Sequence, residues 1–129
     1  MPIVVYNRTK EDHSAHPYNF PIYRGGSILG NPYTDKPVSK TMAIYQVKTR
    51  EEAIQRYGSY FDMQYGRNKE FTEVIDCIYE LYKRGETVYL ECYCDPLPCH
   101  GHIIVQKLQK RLLKEKIKEA KERRKHEMG

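Results

Sequence analysis

The sequence contains no tryptophan, only three phenylalanines and four cysteines, and no long apolar run. A membrane span needs roughly 20 consecutive apolar residues, so no transmembrane helix is expected. The stretch from Met1 to Lys10 lacks a basic leader, an apolar core and a small-residue cleavage site, so a cytoplasmic protein is expected rather than an exported one. In a reducing compartment four thiols do not make a disulfide scaffold. The three cysteines crowded between Cys92 and Cys99 therefore point to metal, reactivity or close packing.

What is present suits one domain with one modest core: 129 residues, 40% apolar and 30% charged. The net charge of +5 is a property of the tail, because Lys107 to Glu127 holds ten Lys or Arg against four Glu. There Leu108, Leu112, Ile117 and Ala120 recur at near-helical spacing, which predicts a long helix. Its readings are a solvated helix docked by one thin apolar stripe, a helix paired with its own copy, or an arm that tracks phosphates. The lack of aromatic residues there weighs against the arm, and no stable nucleic-acid complex is expected.

Pro2 to Tyr6 is short, apolar and β-branched and reads as a buried strand. Residues 10–40 are rich in Gly, Pro, Ser, Asn and Tyr and read as a long ordered loop around short extended pieces. Thr41 to Val47 adds a candidate strand. Thr49 followed by Glu52 is a capping box opening a helix. A second helix is expected from Lys69 to Lys83, closed by Arg84-Gly85-Glu86, with Cys77 as a small core residue. Thr87 to Tyr93 is the most strand-like segment, with Val88, Leu90, Cys92 and Cys94 alternating onto one face and Tyr89, Glu91 and Tyr93 onto the other.

These elements predict an α/β fold: a small Rossmann-like three-layer domain with a mostly parallel sheet and a long C-terminal helix. Residues 1–106 form the α/β unit, and 107–129 are a basic helical extension of the same domain. Ligands of open sheets gather beyond the carboxyl ends of the strands. The segment Glu91-Cys-Tyr-Cys-Asp-Pro-Leu-Pro-Cys-His-Gly-His102 lies there and enters the last helix near Cys99 or His100. The first free amides of that helix favour an anion, and Gly101 removes a side chain that would block close approach.

Three readings of the cysteines compete. Cys92, Cys94, Cys99 and His100 are zinc-ligand types, although their spacing is not that of paired C-x-x-C knuckles. Cys99, at a helix start beside His100, is the best thiol candidate. A phosphatase-like loop would need an arginine six positions on, where Val105 stands. Alternatively the cysteines are core residues, as expected for Cys92. An N-glycosidase would need a carboxylate, for which Glu91 and Asp95 are the candidates.

Tyr23-Arg-Gly-Gly-Ser-Ile-Leu-Gly-Asn-Pro-Tyr33, Thr49-Arg-Glu-Glu and Leu90-Glu-Cys-Tyr-Cys-Asp-Pro-Leu-Pro-Cys-His-Gly101 together resemble a bacterial and bacteriophage family, the domain of unknown function 4326. The family pattern ends in C-W-C-x-P-x-x-C-H-G, with Tyr93 here in place of the tryptophan. The resemblance covers about residues 1–110 and implies the fold and a pocket, without a settled reaction. The expected pocket combines Asn7, Arg8, Tyr23, Arg24, Gly25, Gly30, Asn31, Pro32, Tyr33, Tyr93, Cys94, Asp95, Pro98, Cys99, His100 and Gly101. Arg24 is to grip an anion, Gly25 to let the backbone turn towards it, and the tyrosines to stack on a base. The expectation is a non-catalytic binder of a small nucleotide-derived ligand, such as a phage sponge for a cyclic nucleotide of antiviral signalling, acting as a homo-oligomer. Neither a cofactor nor a metal is assigned. The alternatives are a nucleoside-processing enzyme and a small structural zinc module.

Overall fold

A computed structural model describes residues 3–24, 26–35, 44–93 and 99–128, with side chains to residue 125. Five strands and three helices form among the described residues: β1 (Ile3–Asn7), β2 (Asn19–Pro21), β3 (Tyr33–Thr34), β4 (Tyr45–Gln46), α1 (Arg50–Gln64), α2 (Lys69–Lys83), β5 (Val88–Cys92) and α3 (His100–Met128). The fold is the expected α/β arrangement, Rossmann-like, with a parallel sheet ordered β1-β5-β2 and a separate parallel pair β3-β4. Among the described residues no helix is long and apolar enough to cross a membrane.

β5 occupies the centre because it is apolar enough to be covered on both faces. Val88, Leu90 and Cys92 join Ile3, Val5 and Phe20 of the neighbouring strands in the core shared with the helices. On the other face Tyr89 stacks on His13 at 4.2 Å and meets His16 edge-on, so the 8–18 loop supplies the outer layer there. Under that loop sits Glu91, only 3% exposed. It accepts from Asn19 Nδ2 at 3.1 Å and faces Tyr6 Oη at 3.1 Å and Arg8 Nη1 at 3.5 Å. Burial, with the Glu91 carboxylate beside it, pushes the Tyr6 phenol up to about 12.

Helix ends follow from local chemistry. The Thr49 side chain accepts the Glu52 amide at 3.1 Å, but the Glu52 carboxylate takes the Lys48 amide, one residue before the one a standard capping box covers. α2 ends in a Schellman motif: Gly85 at φ +87°, with the Glu86 amide on Leu81 O and the Gly85 amide on Tyr82 O, both at 3.0 Å. Cys77 is exposed rather than in the core. The buried stripe of α2 is Phe71, Ile75, Ile78 and Tyr79, and Cys77 falls on the far side of the helix.

α3 continues from His100 through residue 106 without a break. Ile104 and Leu108 are buried and Leu112 half-buried, but Ile117, expected on the same stripe, is 47% exposed. Docking stops one turn earlier, at a polar clasp. Arg111 lies 3.8 Å from the Tyr79 ring centroid and donates to Asp76 and Tyr65 Oη at 3.0 Å. Glu115 accepts from Tyr79 at 2.6 Å and pairs with Lys83 at 3.1 Å. These hydrogen bonds hold the Glu115 carboxyl below its usual range.

Candidate functional site

The parallel strands deliver their carboxyl ends to one edge, and the chain turns there twice. After β2 it runs through Tyr23 and Arg24; after β5 it passes Tyr93 and returns at Cys99 into α3. Between these turns and the start of α1 lies a cavity of about 400 Å³. Arg24, which follows β2, and Cys99 and His100, at the start of α3, therefore line one cavity.

Tyr23 and Tyr93 form one aromatic wall, with ring centroids 4.9 Å apart at 65°. Tyr93 is 50% exposed and so presents a face to solvent. Tyr33, stacked on Tyr45 at 5.2 Å, stands on another side with Thr34 and Asp35. Arg24 also lines the cavity, but its Nη1 donates to Asn31 O at 3.0 Å and Tyr33 O at 3.2 Å. It ties the Gly-Asn-Pro loop together while keeping its charge at the wall, so the free fork expected from sequence is half-occupied. Asn31, 6% exposed, gives Nδ2 to Ala53 O at 3.1 Å and accepts the Tyr33 amide at 3.0 Å. It joins this loop to α1.

Cys92, Cys99 and His100 make the floor. Cys99 precedes α3 and caps it with sulfur: Sγ accepts the Gly101 amide at 3.3 Å. Its Sγ lies 3.9 Å from Cys92 Sγ. His100, 7% exposed, has Nε2 at 2.6 Å from Ile22 O. A carbonyl only accepts, so Nε2 carries the proton. Its ring meets Tyr57 edge-on at 4.8 Å, which fixes its plane; any basic role would fall to Nδ1.

Several expected residues act elsewhere. Asn7 and Arg8 lie outside the cavity lining: Asn7 Nδ2 donates to Tyr93 O at 3.3 Å, and Arg8 faces Glu91 and Asp12. Pro32 is buried, its carbonyl accepting the Ile44 and Tyr45 amides at 2.9 Å. Gly30 serves backbone packing, since a Cβ there would stand 2.8 Å from Arg24 Cα. Gly101 serves the core rather than a ligand: an added Cβ would meet Ile22 Cδ1 at 2.8 Å and Val5 Cγ1 at 3.0 Å, so its hydrogen lets α3 close on the sheet. Gly25, Cys94, Asp95 and Pro98 lie outside the described residues, as does part of the Thr41 to Val47 candidate strand.

Sequence reasoning missed Arg50, Ala53 and Ile54, which bring the first turn of α1 to the cavity, and the contribution of Thr34 and Asp35. The Thr49 cap marked where α1 begins, so the signal for Arg50 was present. Among the described residues no cluster of three metal-ligand types occurs, and Glu91, a glycosidase candidate, is sealed under the 8–18 loop outside the cavity lining.

No curated protein and no solved structure matches this chain. A family model does match, over residues 5–110, which contain the arginine turn, the Gly-Asn-Pro loop, the capped α1 and the start of α3, so the chain belongs to the domain of unknown function family DUF4326.

Proposed function

We propose that the cavity captures a small phosphorylated ligand of nucleotide size without turning it over. The observation that carries this reading is the convergence, in one cavity of about 400 Å³, of the Tyr23–Tyr93 wall, the Arg24 and Arg50 side chains and the first turn of α3. Small-molecule sites span roughly 300–1,000 Å³, so a mononucleotide-sized guest suits this volume. A base stacks on the exposed face of Tyr93, phosphate oxygens face Arg24 and Arg50, and sugar hydroxyls donate to Asp35. A larger cyclic nucleotide would extend past the rim, where a second copy of the chain would enclose it. Sequestration of a nucleotide signal during phage infection is the setting this chemistry suits. Capture is favoured over turnover because the Cys99 thiol is only 3% exposed and His100 Nε2 holds a structural hydrogen bond to Ile22 O.

The test is thermal melting against mono-, di- and cyclic nucleotides at rising concentration, followed by mass analysis of recovered ligand. A true guest at 100 times its Kd adds about 2.7 kcal/mol and returns chemically unchanged. Tyr93→Ala should weaken it at least tenfold with little effect on the free protein. Released base or cleaved phosphate would replace capture with catalysis, and a panel with no shift refutes the nucleotide reading.

A further inference from the structure

Most of the basic residues of α3 share one face, with Lys116 and Arg123 on the opposite side. Lys107, Lys110, Lys114, Lys118, Lys121 and Lys125 follow one another at spacings of three or four, and Arg124 falls among them. At 3.6 residues per turn the six lysines occupy an arc of about 80°, widened to about 120° by Arg124, over roughly 27 Å of helix. Glu115, Glu119 and Glu122 fall on the arc that continues the docked side. The ion pairs divide in the same way. Arg111 is held by Asp76 and Glu115 at the docked clasp, whereas in the cationic arc Lys107 alone among the described residues reaches a carboxylate, Asp62 at 2.9 Å. Among the described residues Lys110, Lys114, Lys118, Lys121, Arg124 and Lys125 form no ion pair, and all are exposed. Successive lysines at i,i+3 and i,i+4 repel, so this ladder costs helix stability. Its inner end borders a cavity of about 540 Å³ between α1 and α3, with Lys107, Lys110 and Lys114 at the rim.

We propose that this face of α3 docks on the phosphate backbone of a nucleic-acid duplex, independently of base sequence. A ladder of single charges along a straight rod matches a regular phosphate array. The absence of aromatic residues from Lys107 to Lys125 removes the stacking that single-strand binders use. A membrane surface fits less well: beside the cations only Leu113, Ile117 and Ala120 are apolar, too few for the wide apolar face of an interfacial helix. The lack of aromatic residues suggested no stable complex; the ladder predicts a weak, strongly salt-dependent one with a duplex.

The experiment is fluorescence anisotropy of a mixed-sequence 20-base-pair DNA duplex with the full chain at 50–200 mM salt. About five phosphate contacts give a slope near −4.5 in log K against log salt, an affinity loss of roughly 500-fold across that range. Lys118→Gln/Lys121→Gln/Lys125→Gln should reduce the slope to about −2. The charge-matched Lys10→Gln/Lys48→Gln/Lys69→Gln should leave it unchanged. Glutamine keeps helix propensity, and melting midpoints verify that both variants fold. No binding at 50 mM salt, a slope the first variant leaves alone, or equal losses in both variants overturns the proposal. Ladder-dependent binding to phosphatidylserine vesicles with none to duplex overturns it in favour of a membrane. Nucleotide capture by the cavity should be the same in all three proteins, so failure of the cavity reading is read separately.

Discussion

The same substitution at two glycines should change stability in opposite directions. Gly58 lies inside α1, where an added Cβ finds only Ile103 Cγ2 at 3.8 Å, an ordinary contact. Gly58→Ala therefore gains helix propensity and should stabilise by about 0.5–1 kcal/mol. Gly101 is also helical, so alanine brings a similar gain of about 1 kcal/mol there. Its Cβ, however, would stand 2.8 Å from Ile22 Cδ1, 3.0 Å from Val5 Cγ1 and 3.3 Å from Cys99 Sγ. The Ile22 methyl can rotate away, but Val5 is β-branched and held in β1, so the first turn of α3 must lift. Overpacking of this kind costs about 1–3 kcal/mol, leaving a net loss of about 1 kcal/mol. For a chain of this length that is a fall of about 3–5 °C in Tm. Urea denaturation of both variants, with m-values to detect changes in the unfolded state, checks the sign directly. Because the lifted turn carries Cys99 and His100, Gly101→Ala should also weaken the cavity ligand, and Gly58→Ala should not. If both alanines raise the midpoint, α3 does not pack on the sheet as closely as described, and the argument fails.

Two further substitutions probe the polar framework. Tyr6 binds its proton more tightly folded than unfolded, so its contribution is fully present below pH 10 and is lost as pH rises towards 12. The stability difference between wild type and Tyr6→Phe should therefore shrink by about 2 kcal/mol across pH 10–12 in chemical denaturation; a constant difference refutes the raised phenol. Asn31→Ala removes two buried hydrogen bonds, to Ala53 O and from the Tyr33 amide, and should cost about 2 kcal/mol together with most ligand affinity. Asn31→Ala with ligand affinity intact would show that the loop it holds is not a wall of the site.

Periodicity was sufficient for the helices and for β1 and β5 because each buries a face whose spacing is local: Lys69 to Lys83 matched α2 residue for residue, and Thr49 capped α1, whereas β2 and β3 fall in the segment read as a loop around short extended pieces. The motifs also marked both turns that meet at the cavity. What they could not say is what each residue is used for, because that depends on neighbours far away in the chain. Gly101 reads as a place for a ligand until Ile22 and Val5 arrive beside it. Arg24 reads as a free anion grip until the carbonyls of Asn31 and Tyr33 close on one of its nitrogens. Cys77 and Ile117 fit apolar patterns, yet both are exposed among the described residues. Residue types and local spacing thus determined which elements form and which chemistry is on hand. Burial and hydrogen-bond partners, which belong only to the closed fold, decided which of that chemistry faces the cavity and which holds the structure together.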